Sequence, residues 1–172
     1  MSAELIAPKI GKNMMIVAWV IAMGLLVWMF GSWEDHQLNP NSAPLSAKTA
    51  NGAEVILMPN RQGHYLTGGS INQKSVVFLV DTGATTVAIP GALQQELGLV
   101  AGRAYSSITA NGTARAYSTV VQQLKIGDIE LFNVQASILP GMQGTKILLG
   151  MSALREIEFT QKGDTLTLRQ EF

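Results

Sequence analysis

Val77-Phe78-Leu79-Val80 is a run of apolar, mostly β-favouring residues that leads directly into Asp81, Thr82 and Gly83. A short continuous apolar run of this kind reads as a strand buried on both faces. The strand has to end where the charge begins, because an unpaired buried ion costs several kcal/mol or changes its protonation state. Gly83 lets the backbone turn sharply and brings its N–H close to the carboxylate. The chain is thereby committed to a core strand that delivers one carboxylate to a tight loop.

A second feature constrains the N-terminus. Residues 14–30, MMIVAWVIAMGLLVWMF, hold 17 positions without a charge or a strongly polar group. A helix rises about 1.5 Å per residue, so this run spans roughly 26 Å, near the thickness of a bilayer's hydrocarbon core. Ile10, Gly31 and Trp33 extend it. Lys9 and Lys12 precede it while Glu34 and Asp35 follow, so the positive-inside rule places residues 1–13 in the cytoplasm and the rest across the membrane. A cleaved signal peptide is the rival reading, but Trp28, Phe30 and Trp33 crowd the place where small residues would mark a cleavage site. A buried core helix is a third reading, and the run lacks the amphipathic face it would need. The expectation is a transmembrane anchor over 14–33, in which Ala18 and Ala22 form one small-xxx-small pair.

Residues 34–50 carry Pro, Asn, Ser and Ala without periodicity and read as a flexible linker. From residue 51 the pattern changes to short apolar runs at 55–58, 65–71, 75–80, 86–89, 120–126, 129–139 and 147–149. Asn51-Gly52, Asn72-Gln73, Asn111-Gly112, Gly127-Asp128 and Gly163-Asp164 read as turns. Short helices are expected at 91–97, stopped by Gly98, and at 151–155 after Gly150. This rhythm predicts one all-β barrel or sandwich domain over 51–172.

Composition excludes several chemistries. Twelve basic and twelve acidic residues cancel, which argues against a nucleic-acid partner. The absence of cysteine excludes disulfides and thiol catalysis. His36 and His64 lie far apart without acidic neighbours at ligand spacing, so neither a metal nor another cofactor is expected. Gly150-Met151-Ser152-Ala153-Leu154 lacks the final glycine of a serine-nucleophile elbow. Peptide hydrolysis without a metal or a covalent intermediate needs a base and an acid, and two carboxylates sharing one proton supply both. Of the four aspartates, Asp35 lies in the linker while Asp128 and Asp164 follow turn glycines, which leaves Asp81. One chain therefore holds half of such a site, and a two-fold axis would supply the rest.

Three motifs occur in a telling order: Asp81-Thr82-Gly83-Ala84-Thr85, the hairpin tip Ala110-Asn111-Gly112-Thr113, and Ile147-Leu148-Leu149-Gly150 before a short helix. With Gly63-His64-Tyr65 they make residues 53–172 resemble a retroviral-type (retropepsin-like) aspartic protease of the bacterial, membrane-anchored branch. The resemblance implies a closed retropepsin-like β-barrel with short helices, preceded here by one transmembrane helix. It implies a homodimeric endopeptidase on the periplasmic side of a bacterial inner membrane, acting on polypeptides. Asp81 would be catalytic, Thr82 would hydrogen-bond across the dimer axis, and Gly83 would approach carboxylate and substrate. Ala84 would line the substrate, and Ala110, Asn111, Gly112 and Thr113 would form the flap over it. Retroviral enzymes brace the dimer with an acidic residue and an arginine where this chain has Thr85 and Met151, so that brace is absent. The competing function class is a membrane-anchored peptide-binding or dimerisation module that keeps the barrel without turnover. A binding module has no need of Asp81 at that strand end.

Ala84 generates a prediction about pH. Activity requires a singly protonated carboxylate pair, so the rate should be bell-shaped in pH. Many pepsin-like relatives place a charge-stabilising hydroxyl where this chain has Ala84, and its absence sets the optimum at roughly pH 4.5–6.5. Ala84→Ser should move the pH–rate profile of peptide cleavage to lower pH; an alkaline shift, or a wild-type rate still rising through about pH 8, contradicts the paired-carboxylate argument.

Overall fold

A computed structural model describes residues 7–109 and 112–172, which fall into two units dividing between Gln37 and Leu38. The first is essentially one helix, α1 (Ala7–Leu38). Its segment Gly11–Gly31, 21 residues with a mean hydropathy of 2.3 and none of them buried, is long and apolar enough to cross a membrane. The helix runs past the expected end at residue 33 and takes up the first residues read as linker. It stops just before Asn39-Pro40, because a proline disfavours helical backbone in the residue ahead of it.

The second unit contains β1 (Leu45–Thr49), β2 (Gly52–Leu57), β3 (Leu66–Ile71), β4 (Lys74–Val80), β5 (Val87–Pro90), β6 (Ala104–Thr109), β7 (Gly112–Ile126), β8 (Ile129–Leu139), β9 (Lys146–Leu149), α2 (Met151–Leu154), β10 (Glu158–Lys162) and β11 (Thr165–Glu171). The helix expected at 91–97 is a 3-10 turn, Gly91–Leu93, continued by looser turns to Gly98, whose φ of 65° ends it. One sheet has the order β3-β4-β9-β5-β8-β7-β6, and pairing of Ser70 and Ile71 in β3 with Lys125 and Leu124 in β7 closes six strands on themselves. The barrel expected from the sequence is thus present, with β6 as an outlying strand beside β7. A second, antiparallel sheet has the order β1-β2-β11-β10.

The core lies where these sheets face one another. Alternate residues Ala53, Val55 and Leu57 of β2 and Leu166 and Leu168 of β11 meet Phe78, Ile89, Val121, Ile147 and Leu149 from the barrel. That alternation follows from the two-residue period of a strand. Phe78 is fully buried, a contribution of about 1.5–3 kcal/mol over exposure. The Asn72-Gln73 turn has φ of 48° and 68°, both positive as a two-residue I′ hairpin requires.

The remainder of the segment read as linker is also structured. β1 pairs with β2 along its whole length. Ser46 Oγ accepts from the Asp128 N–H at 2.8 Å and donates to the Asp128 carboxylate at 2.6 Å, fastening β1 to the β7–β8 turn. Asn41 is buried, and its Nδ2 donates to the carbonyls of Met58 at 2.8 Å and Leu66 at 2.6 Å. Its Oδ1 accepts from the Met58 N–H at 2.8 Å. One amide side chain thus joins the end of β2 to the start of β3.

This clamp is testable by denaturant unfolding. Asn41→Ala leaves buried backbone groups unpaired and should cost about 2–4 kcal/mol. Asn41→Asp puts one carboxylate oxygen in the place of Nδ2, facing the two carbonyls, which raises the pKa of the new acid in the folded state. Its penalty should therefore be small at low pH and grow as pH rises above the unfolded value; a penalty independent of pH would contradict the assigned geometry.

Candidate active site

β4 and β5 flank β9, with β4 parallel to it and β5 antiparallel. The loop 81–86 that joins β4 to β5 has to arch over the end of β9, where Leu149 passes into Gly150 and α2. A methyl group on Gly150 would stand 2.2 Å from the Thr86 carbonyl oxygen and 2.7 Å from that of Ala84. Only glycine permits this approach.

The loop's backbone is satisfied locally. The Asp81 N–H donates to the Leu149 carbonyl at 3.2 Å, the Ala84 N–H to the Asp81 carbonyl at 3.2 Å, and the Met151 N–H to the Ala84 carbonyl at 2.8 Å. The half-buried Asp81 accepts the Gly83 N–H at Oδ1, 2.9 Å away, as the turn glycine led one to expect. Thr82, Gly83 and Thr85 are exposed and Ala84 is half-buried. Ser152, rejected as a nucleophile from its motif, accepts the Val87 N–H at 2.9 Å and donates to the Gln135 carbonyl at 2.6 Å, tying β5 to β8.

The strand period turns one face of β5, β8 and β9 away from the main core. There Ala88, Ala116 and Leu139 form a smaller apolar cluster with Met142 and Leu148 packed against it. Leu148 pairs with Leu79, two residues before Asp81, so this apolar floor begins beside the carboxylate. The β6–β7 hairpin flanks it, since Ala116 belongs to the hairpin. Of the residues expected in the flap, Ala110 and Asn111 lie outside the described residues. Gly112 is the first residue of β7, pairs with Thr109 and has a φ of 102°; Thr113 pairs with Ile108. An open cleft of about 460 Å³ lies elsewhere, against Gly68, Gly69, Val77 and Leu93, and includes no residue of the loop 81–86.

Asp128 and Asp164 sit in turns, where the Asp128 carboxylate meets Ser46 and the Asp164 carbonyl accepts the Tyr65 hydroxyl at 3.2 Å. Neither accompanies Asp81. No group of three or more His, Cys, Asp or Glu gathers among the described residues. Sequence reading missed Thr86, Ser137 and Tyr105, whose hydroxyls meet beside the loop: Thr86 Oγ1 lies 2.6 Å and the Tyr105 hydroxyl 2.5 Å from Ser137 Oγ. The one signal available was a serine set among the apolar Ala136, Ile138 and Leu139 at the end of β8.

The close approach at Gly150 yields a prediction. Gly150→Ala should displace the loop or destabilise the fold by about 1–3 kcal/mol, read from denaturant unfolding and from the amide shifts of Ala84 and Thr86. Gly141→Ala, whose added methyl meets nothing within 4 Å, is the control and should be near neutral. Equal effects at the two sites would contradict the packing described.

Residues 67–156 match the family described as "gag-polyprotein putative aspartyl protease". The chain is 32% identical over 136 residues to an uncharacterized Sinorhizobium protein from the cobV 5′ region, covering 77% of this chain and 58% of that protein. It is 32% identical over 111 residues to an uncharacterized protein of Rickettsia prowazekii, covering 61% of this chain and 46% of the other. The chain thus spans about half the length of these curated relatives. Among solved structures, a retropepsin-like aspartic protease from Rickettsia conorii superposes with a TM-score of 0.58 and 26% identity, over 74% of this chain and 94% of that one. With β4 delivering Asp81 into a glycine-turned loop at the end of β9, and with the family match running through β4, β5 and β9, the chain belongs to the retropepsin-like aspartic proteases.

Proposed function

We propose that the protein is a membrane-anchored aspartic endopeptidase that works as a homodimer, with Asp81 from each copy forming the catalytic pair. The observation that carries this reading is the Asp81 loop itself: a carboxylate at a core-strand end, held by the Gly83 N–H and opening onto an apolar floor. With one proton shared, the ionised Asp81 takes a proton from water as the water oxygen attacks the scissile carbonyl carbon. The protonated Asp81 gives its proton to the carbonyl oxygen, and the leaving nitrogen is protonated as the tetrahedral species collapses. Thr82, exposed beside Asp81, is available to the second copy, and Ala84 and the hairpin residues Ala110, Asn111, Gly112 and Thr113 border the substrate.

β10 supports the choice of partner. It is an edge of the four-stranded sheet, and all five of its residues, Glu-Phe-Thr-Gln-Lys, are exposed. An exposed edge is a template for another strand. Antiparallel pairing with a second β10 about a two-fold axis at Thr160 would set Glu158 opposite Lys162, favourable on both sides of the axis. For the anchor, Gly11–Gly31 has a suitable length, and its flanking charges favour a cytoplasmic N-terminus with the protease domain in the periplasm of a bacterium.

The test uses the full chain in detergent micelles and a peptide library. Asp81→Asn keeps size and hydrogen bonding but removes the group that shares the proton, and cleavage should fall by at least about a hundredfold with the fold intact. Peptide binding without turnover in the wild type, unchanged in Asp81→Asn, would favour the binding module instead. Glu158→Lys should weaken self-association in sedimentation, and Glu158→Lys with Lys162→Glu should restore it. Failure of that restoration would sink the β10 interface while leaving the Asp81 assignment to stand on the cleavage assay.

A further inference from the structure

The β6–β7 hairpin leaves the barrel at Tyr117. From there inward β7 pairs with β8, beginning with Tyr117 opposite Ile138; outward, from Gly112 to Tyr117, it pairs with β6. The outer part is therefore a two-stranded ribbon, and a ribbon of two strands is marginal by itself. Its angle to the barrel depends on what holds its root. Tyr105 is at that root, one residue from the Ala104–Tyr117 pair.

The Tyr105 side chain reaches Ser137 of β8, which is 3% exposed and belongs to the strand face that carries Ala88, Ala116 and Leu139. A buried hydroxyl on an apolar face has to find partners. Ser137 has two, Tyr105 and Thr86, and one proton with two lone pairs allows it to donate to one and accept from the other. Thr86 closes the loop that Asp81 opens. Its carbonyl is packed against Gly150, and the next residue's N–H is held by Ser152. Its backbone thus belongs to the rigid frame under the loop, while its side chain is given to the chain of hydroxyls.

We propose that Tyr105 and Ser137 are positioning residues: the hydroxyl chain Tyr105–Ser137–Thr86 fixes the angle of the hairpin against the loop that carries Asp81, and so presets the closed arrangement in which a peptide is bound. The catalytic consequence rests on the protease reading above; the tie itself does not. A hairpin already held near its working angle takes up substrate without first being ordered. Loosening it lowers the fraction of binding-competent molecules and raises the apparent dissociation constant by the same factor. Chemistry at Asp81 is unaffected once the peptide is enclosed.

The test compares the wild-type full chain in micelles with Tyr105→Phe, Ser137→Ala and the double variant. Tyr105→Phe keeps the ring and removes only the hydroxyl. Loss of one such bond should speed hydrogen–deuterium exchange of the ribbon amides in 104–109 and 112–117 by about five- to tenfold, with exchange in β8 and β9 unchanged. The double variant should exchange no faster than the more affected single one, because both changes cut the same chain. Peptide kinetics should show KM raised, by at most about the same five- to tenfold factor, and kcat within about twofold. Unchanged ribbon exchange in Tyr105→Phe overturns the proposal, as does a fall in kcat with KM unmoved, which would place the effect on the Asp81 loop. If the wild type cleaves nothing, the protease reading fails and the exchange measurement alone decides the tie.

Discussion

The contact on which the site depends is between backbone and backbone: Gly150 lies against the carbonyls of Ala84 and Thr86 with no room for a side chain. Because β9 is inserted between β4 and β5, the connection between those strands has to cross the end of β9. The crossing can be tight only if β9 ends in a residue without a Cβ. Everything that orients Asp81 follows from this: the bond from its N–H to Leu149, the bond from Met151 to Ala84, and the turn that brings the Gly83 N–H to the carboxylate. The apolar run in β9 fixes the height of that end by burying Ile147 and Leu149, while Leu148 on the other face packs against Ala88, Ala116 and Leu139.

Hydroxyl and amide side chains then act where the strand ladders do not reach. Ser152 joins β5 to β8, Ser46 joins β1 to the β7–β8 turn, and Asn41 joins β2 to β3. Each gives a short polar side chain at least two bonds, which is what makes a partly buried polar group tolerable. A close ion pair, Arg169 with Glu54 at 2.6 Å, is partly exposed and braces β11 against β2. Glu54, with a smaller effect of Glu158, raises the pKa of a guanidinium that is charged at any working pH, so this pair makes no pH switch.

Legibility followed burial. β8 was read to the residue and β4 and β9 to within one, because their inward residues are apolar without interruption. β1, β6, β10 and β11 were missed: in β1 and β10 every residue is exposed, so both exist because β2 and β11 offer them a ladder, and in β11 the buried Leu166 and Leu168 make too short an alternation to stand out. Asn41 illustrates the same limit. In sequence it is one more polar residue beside a proline, and its function as a clamp comes from two strand ends 17 and 25 residues away. Asp81 and Gly83 were legible because strand, charge and turn are consecutive. The hydroxyl chain was not, since Thr86, Tyr105 and Ser137 come from three separate segments.

The way the loop uses its polar groups bears on how two copies would meet. The N–H and C=O of both Asp81 and Ala84 are engaged with the same chain, whereas Thr82 and Thr85 are exposed. A second copy would therefore meet side chains on a loop already in shape, not a segment that has to be ordered on contact. Association then costs less conformational entropy than coupled folding does. The shape of the loop would then not wait on a partner, and a weak dimer would suffice for the proposed activity. If α1 confines both copies to one membrane, as proposed, the raised effective concentration offsets the missing pair at Thr85 and Met151. In the proposed dimer the anchor and the β10 edge would take over the task of the brace that the retroviral enzymes carry.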